Sequence, residues 1–308
     1  MTSSEPKVIT RRQAKQQISY FSVPLFFYIL LNMILRECSG LLYRYYPQLF
    51  FGFDVWTATL TAGILLALIF RYLVFPGVSK RLHLNIRDYM KMPKLAGIQW
   101  LSIICLGIGI TLIAVSFSSL FYFMSSSTST YDFLGSFNGK TNIINNILYF
   151  ILFVCIRPHC DEYIFRGTIQ RQLGHYGRYF GVLGSAVLYA LAQPDMMRAV
   201  SGFFVGWYLA LATLKYHSIR PGFRINFALS LFLWILNVIP GNLFFIPLIM
   251  IVFVYVICAF SIFSKKAKTN IVRYGATEWK LWKILLTTPG VILCIITFII
   301  NCILTVIL

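Results

Sequence analysis

The chain reads as an all-α polytopic transmembrane helical bundle of eight or nine spans, and three observations predict it. Of its 308 residues, 58% are hydrophobic and only 12% charged, with a mean hydropathy of +0.76, far too apolar for a water-soluble domain. Apolar runs of about 20 residues, the length that crosses roughly 30 Å of hydrocarbon at 1.5 Å per residue, recur from end to end. The Lys and Arg behind a net charge of +18 collect in the gaps between alternate runs, as positive-inside topology requires. Secreted disulfide scaffolds, coiled coils, disordered tails and soluble nucleic-acid binders are excluded together.

Residues 1–17 are polar and basic and form an expected cytoplasmic tail. The first apolar run, Ile18–Leu42, is too long for a signal peptide and lacks a small-residue cleavage site, so it is expected to remain as an anchor. Further spans are expected near Val55–Phe75, Ile98–Met124 and Ile143–Cys160, followed by a polar stretch. Beyond it come Tyr179–Gln193, Ala199–Leu214, Ile225–Ile239, Phe244–Phe263 and Ile284–Leu308. Ser125–Lys140, rich in Ser, Thr and Gly, reads as a solvated extracytoplasmic loop. The chain thus divides into the tail (1–17), N-terminal spans with the polar loop (18–141), a core (142–240), and C-terminal spans with a basic loop (241–308).

Charge tests this order. Lys7 to Lys15 precede the first span, Lys80 to Lys94 follow the second, and Arg157, Arg166, Arg171 and Arg178 flank the end of the fourth. Lys215, Arg220 and Arg224 follow the sixth, and Lys265 to Lys283 the eighth, so 22 of the 27 Lys and Arg fall on alternate sides. The arrangement places the protein in the cell membrane with its N-terminus in the cytoplasm. A re-entrant segment near Tyr179–Arg198 would change the parity of every later span. The seven cysteines are odd in number and lie mostly in apolar spans without a CxxC pair, which fits small buried hydrophobes.

A charge at membrane depth costs ~2.5–3.5 kcal/mol, so each needs a partner or a function. Of nine acids, two are adjacent, Asp161 and Glu162, in Arg157-Pro158-His159-Cys160-Asp161-Glu162-Tyr163-Ile164-Phe165-Arg166-Gly167. On a continuous helix Glu162 and Arg166 are i,i+4 neighbours that can pair, while Asp161 points about 100° away and is left free. A free carboxylate beside an ion pair in a low-dielectric pocket suits a general base; the same pattern also serves as a helix-end salt bridge that orients a loop. Asp195 with Arg198, and Arg36 with Glu37, read as ion pairs at span ends. No HExxH or similar cluster suggests zinc, and no phosphate loop or nucleophile elbow is present, so no metal or cofactor is expected.

The run Asp161-Glu162-Tyr163-Ile164-Phe165-Arg166-Gly167 resembles the first motif, EExxxR and usually EExxFRG, of the CPBP family of intramembrane proteases. That family includes the type II CAAX prenyl endopeptidases and bacterial bacteriocin-processing or self-immunity proteins. Downstream, Gly184–Ala192 resembles the helix carrying the second motif, FxxxH. Gly202-Phe203-Phe204-Val205-Gly206-Trp207 is similar to the glycine-containing helix after it, and His217–Pro221 to the turn before the last motif, HxxxN or HxxxD. The resemblance covers about Asn142–Asn237. It implies that an acid and the second-motif His activate water, while the last-motif His and Asn stabilise the oxyanion.

Here the first acid is Asp161, the second-motif His position is Gln193, and the last-motif positions are Asn226 and Ser230; Glu162 and Arg166 match outright. Gln193 can orient a water but cannot exchange a proton near neutral pH, and losing a general acid–base partner forfeits about 10²–10⁴ in rate. Asn226 keeps an amide donor suited to an oxyanion. His159 lies on another helical face, and His83, His175 and His217 fall in expected loops, so none has the spacing to substitute. Two functions are consistent with these residues. One is an intramembrane endopeptidase cleaving a membrane peptide or protein that reaches the cytoplasmic half of the bilayer. The other is an inactive relative that acts as regulator, scaffold or immunity protein by binding a membrane peptide, sensor kinase or bacteriocin. A small-molecule transporter would need paired, interrupted helices with polar residues at the midplane.

Overall fold

A computed structural model describes residues 11–46, 48, 54–91, 93, 97–124, 143–238 and 277–307. Among these the chain is helical, without strands. Its helices are α1 (Arg11–Tyr45), α2 (Val55–Arg81), α3 (Gly97–Met124), α4 (Ile143–Gly174), α5 (Arg178–Leu191), α6 (Met196–Tyr216), α7 (Arg220–Val238), α8 (Thr277–Leu286) and α9 (Pro289–Ile307). A short 3-10 turn, Ile86–Met90, follows α2.

Five of the helices are long and apolar enough to cross a membrane, and six if the pair α8–α9, bent by 65°, counts as one broken span. The protein is a helical membrane protein; α5 is a shorter apolar helix. The expected tail up to residue 10, the loop Ser125–Lys140, the span Phe244–Phe263 and the basic residues Lys265–Arg273 lie outside the described residues.

The polar stretch expected to end the fourth span does not end it, because α4 continues to Gly174. Arg157 and Arg166 therefore belong to the interior of a span and drop out of the loop charges. Burial and partners make this possible, since Arg166 has no exposed surface. Two proline positions share one device. Phe70–Val74 widens to a π-helical turn just before Pro76, and Phe150–Ile156 does so just before Pro158. A proline lacks an N–H and clashes with the carbonyl one turn back, and the wider turn accommodates both.

Packing divides the apolar interior into two clusters. The larger joins α1, α2, α4, α5 and α9 around Phe21, Leu25, Phe75, Phe165 and Leu188. The smaller joins α3, α6 and α7 around Ile103, Ile108, Leu209 and Ile225. Close approach substitutes for hydrophobic drive between helices in lipid. At Gly290 of α9, for example, an added Cβ would stand 2.8 Å from the backbone of Val23 in α1. The ends of α1 and α9 are tied by the Arg36 guanidinium, which pairs with Glu37 and donates 2.7 Å to Asn301. The polar residues of α4 lie along the seam between the clusters.

Candidate functional site

A second π-helical turn of α4, Glu162–Gln170, is buried at every residue. Glu162 is 1% exposed and Arg166 0%, so both charges depend on partners other than bulk water. Their i,i+4 pairing is present, with Arg166 Nη1 3.4 Å from Glu162 Oε1. The rest of the shell comes from distant elements. Arg166 Nη2 donates to the Gly206 carbonyl at 3.0 Å, and its guanidinium lies 4.6 Å from the Tyr189 ring centre. Asn226 Nδ2 donates to Glu162 Oε1 at 3.3 Å. A buried pair stabilises a fold only when its remaining hydrogen bonds are met; α5, α6 and α7 each supply a partner, while Glu162 Oε2 and Arg166 Nε are left without one. Gly206 and Gly222 let backbone come this near: a Cβ at Gly206 would stand 2.9 Å from the Tyr189 ring, and one at Gly222 would overlap Glu162 Oε2.

Asp161 is not left free. Tyr28 of α1 donates to its Oδ1 at 3.5 Å, and Arg157 Nε lies 3.9 Å from its Oδ2. The reason is the same helical periodicity that joins Glu162 to Arg166, since Arg157 stands one turn before Asp161. That spacing is readable in the sequence; Tyr28, 133 residues earlier, is not.

A cavity of about 220 Å³ opens along the seam between α3, α4, α5, α6 and α7. Asp161, Gln193, Asn226 and Ser230 all line it, together with Arg157 and Tyr189. Glu162 and Arg166 do not; they stand behind Asn226 and Tyr189 as a buried support. The two adjacent acids thus divide, one at the cavity wall and one in the packing behind it.

Gln193 Nε2 donates to the Tyr189 carbonyl at 3.2 Å, and Gly202 makes room for it, because a Cβ there would approach Gln193 Cγ to 2.8 Å. Asp195 caps α6, accepting from the Arg198 backbone N–H at 2.8 Å, and pairs with the Arg198 side chain at 3.4 Å. Ser201 donates back to the Arg198 carbonyl at 3.1 Å. All four histidines are among the described residues, and none lines the cavity. His159 instead packs edge-on against Phe223, with ring centres 5.0 Å apart, and its Nε2 stands 3.5 Å from Arg71.

The cavity lies toward one end of the bundle. Gln193, Pro194 and Arg198 line it where α5 meets α6, whereas Arg171, Arg178, Lys215 and Arg220 cluster at the opposite ends of those helices. Chemically, the wall offers one carboxylate, two guanidinium groups, two amides and hydroxyls, within an otherwise apolar lining.

Residues 143–232 match a family model described as Rce1-like: Type II CAAX prenyl endopeptidase Rce1-like. The match runs from the start of α4 into α7 and contains each cavity residue named above. It supports the resemblance to the CPBP family over the same stretch. Comparison with curated proteins and with solved structures returns no match.

Proposed function

We propose that this membrane protein uses the Asp161 cavity, the counterpart of a CAAX-endopeptidase chamber, to bind a membrane-proximal peptide, and that it acts by binding rather than by efficient turnover. The observation that carries this reading is that no histidine lines the cavity. Peptide hydrolysis must move a proton from water to the departing amine, and amides, hydroxyls and guanidinium groups do not exchange protons near neutral pH. The one carboxylate on the wall, Asp161, is already engaged by Arg157 and Tyr28. What remains suits recognition: amide and guanidinium groups for peptide carbonyls, and apolar walls from Val154, Val205 and Leu229 for side chains. By the charge asymmetry the cavity lies toward the side opposite the basic loops, so the peptide is taken from the extracytoplasmic half of the bilayer rather than from the cytoplasmic half expected from the sequence.

A second reading, slow endopeptidase activity, is favoured by the convergence of Asp161, Gln193, Asn226 and Ser230 on one wall. Asp161 would act as base, Gln193 would position water and Asn226 would polarise the scissile carbonyl.

The test uses purified protein in nanodiscs with a membrane-peptide library, scoring photocrosslinking and cleavage for the wild type, Asp161→Asn, Glu162→Ala and Gln193→His. The binding reading expects crosslinking without cleavage in the wild type and cleavage gained in Gln193→His. Wild-type cleavage that Asp161→Asn abolishes overturns it and establishes the second reading.

A further inference from the structure

A second cavity, of about 230 Å³, opens at the opposite end of α5 and α6 and is lined by Arg166, Gln170, Arg171, His175, Arg178 and His217, among others. No carboxylate lines it, and among the described residues neither Arg171 nor Arg178 is paired with one. Arg171 is held in place by the Asn85 carbonyl and by the Tyr89 ring, whose centre lies 4.2 Å away. Arg178 and His217 are exposed. Burial and, after it, the neighbouring Arg171 charge hold the His175 imidazole below its ordinary pKa.

Among the buried polar atoms of this lining that lack a hydrogen-bond partner, two are complementary. Arg166 is fully buried, and its Nε–H, a donor, meets no acceptor. Gln170 is 6% exposed; its Nε2 is committed to the Ala210 carbonyl at 2.8 Å, which leaves Oε1 as an acceptor without a donor. Orphaned buried groups of this kind cost stability unless something fills them. The start of α5 adds its own field, since its cap residue Gly177 supplies no side-chain bond to the first turn and a helix N-terminus favours anions. That turn is held against α4 by Gly181, where a Cβ would meet the Gln170 carbonyl at 2.8 Å.

We propose that this second cavity binds a phosphate anion bearing a hydroxyl, with Arg171 and Arg178 holding the charge, Arg166 Nε–H donating to a phosphate oxygen, and the hydroxyl donating to Gln170 Oε1. Guanidinium forks match phosphate geometry. Monohydrogen phosphate and the phosphatidylglycerol headgroup both supply that pairing of anion and hydroxyl. The position among the basic loops suits either a cytoplasmic solute or a lipid of the inner leaflet. Because Arg166 also holds Glu162, occupancy bears on the support behind the first cavity.

The experiment measures thermal stabilisation of the full chain in nanodiscs. One arm titrates inorganic phosphate into phosphatidylcholine discs; the other compares phosphatidylcholine with phosphatidylglycerol-containing discs without phosphate. Stabilisation in the first arm identifies a free anion, and in the second alone a headgroup. Arg178→Gln, at an exposed position, weakens the response by about tenfold, as loss of one charge-assisted hydrogen bond does. Gln170→Leu keeps the phosphate arm's charge but loses the hydroxyl preference, so binding of sulfate, which carries no proton at neutral pH, equals that of phosphate. No stabilisation in either arm, or a response unchanged by Arg178→Gln, overturns the proposal.

Discussion

Gly222, in the first turn of α7, faces Glu162 so closely that any Cβ at that position would overlap the carboxylate Oε2. The carboxylate cannot swing away, because Arg166 and Asn226 hold its other oxygen. This contact fixes where α7 crosses α4, and with it where Asn226 and Ser230 reach the cavity.

Gly222→Ala is therefore expected to destabilise by ~1–3 kcal/mol, the range for overpacking a filled site. Gly77 of α2 is the control, since a Cβ there meets nothing within 4 Å, and Gly77→Ala should be neutral or stabilising by up to about 1 kcal/mol. Thermal unfolding in detergent separates the two; equal effects at both positions would contradict the close contact.

Breaking the buried pair from one side should cost more than removing both partners. Glu162→Ala leaves the Arg166 charge buried and unpaired, for which about 3–5 kcal/mol is expected, whereas Glu162→Leu combined with Arg166→Met should recover much of that loss. A double-mutant cycle read by folding yield and thermal midpoint checks this. Additive losses would show that the two charges do not interact.

Asp54 closes the start of α2 and reaches across to α4. Its Oδ1 accepts from the Thr57 backbone N–H at 2.6 Å and its Oδ2 from Asn145 Nδ2 at 2.8 Å. Burial acts to raise the carboxyl pKa, but the hydrogen bonds from Thr57 and Asn145 together outweigh it and leave the group below its ordinary value. A depressed folded-state pKa contributes stability above the unfolded value, near 4, that is lost as pH falls through the folded one. Asp54→Asn should therefore lose stability at neutral pH and show a flatter decline on acidification than the wild type. Identical acid profiles would refute the role.

The two ends of the α5–α6 pair should be reached from opposite sides of the membrane. Met196 and Arg178 are both exposed, one near each end. In intact cells an impermeant thiol reagent is expected to label Met196→Cys and spare Arg178→Cys, with both labelled after permeabilisation. The reverse pattern would invert the orientation inferred from the basic loops.

Much of this architecture was legible without coordinates. Among the described residues hydropathy located the helices, because crossing a bilayer demands a long apolar run whatever its neighbours, and the i,i+4 spacing joined Glu162 to Arg166 because a helix brings such positions together. The same spacing joins Arg157 to Asp161, a signal that the loop assignment of Arg157 obscured. Continuation of α4 through Arg166 was not legible, since a buried guanidinium is tolerable only when partners from other helices meet it.

The sequence by itself determined that the protein is helical, belongs in a membrane, and carries an acid pair followed by an arginine at family spacing over residues 143–232. Tertiary structure alone decided which acid faces the cavity. It set Asn226 beside Glu162 across 64 residues and Tyr28 beside Asp161 across 133. It also gathered arginines from separate segments around a second cavity. The physical reason is that local periodicity is written in consecutive residues, whereas a contact between distant helices depends on how every intervening helix packs, and above all on the glycines that let α6 and α7 come close.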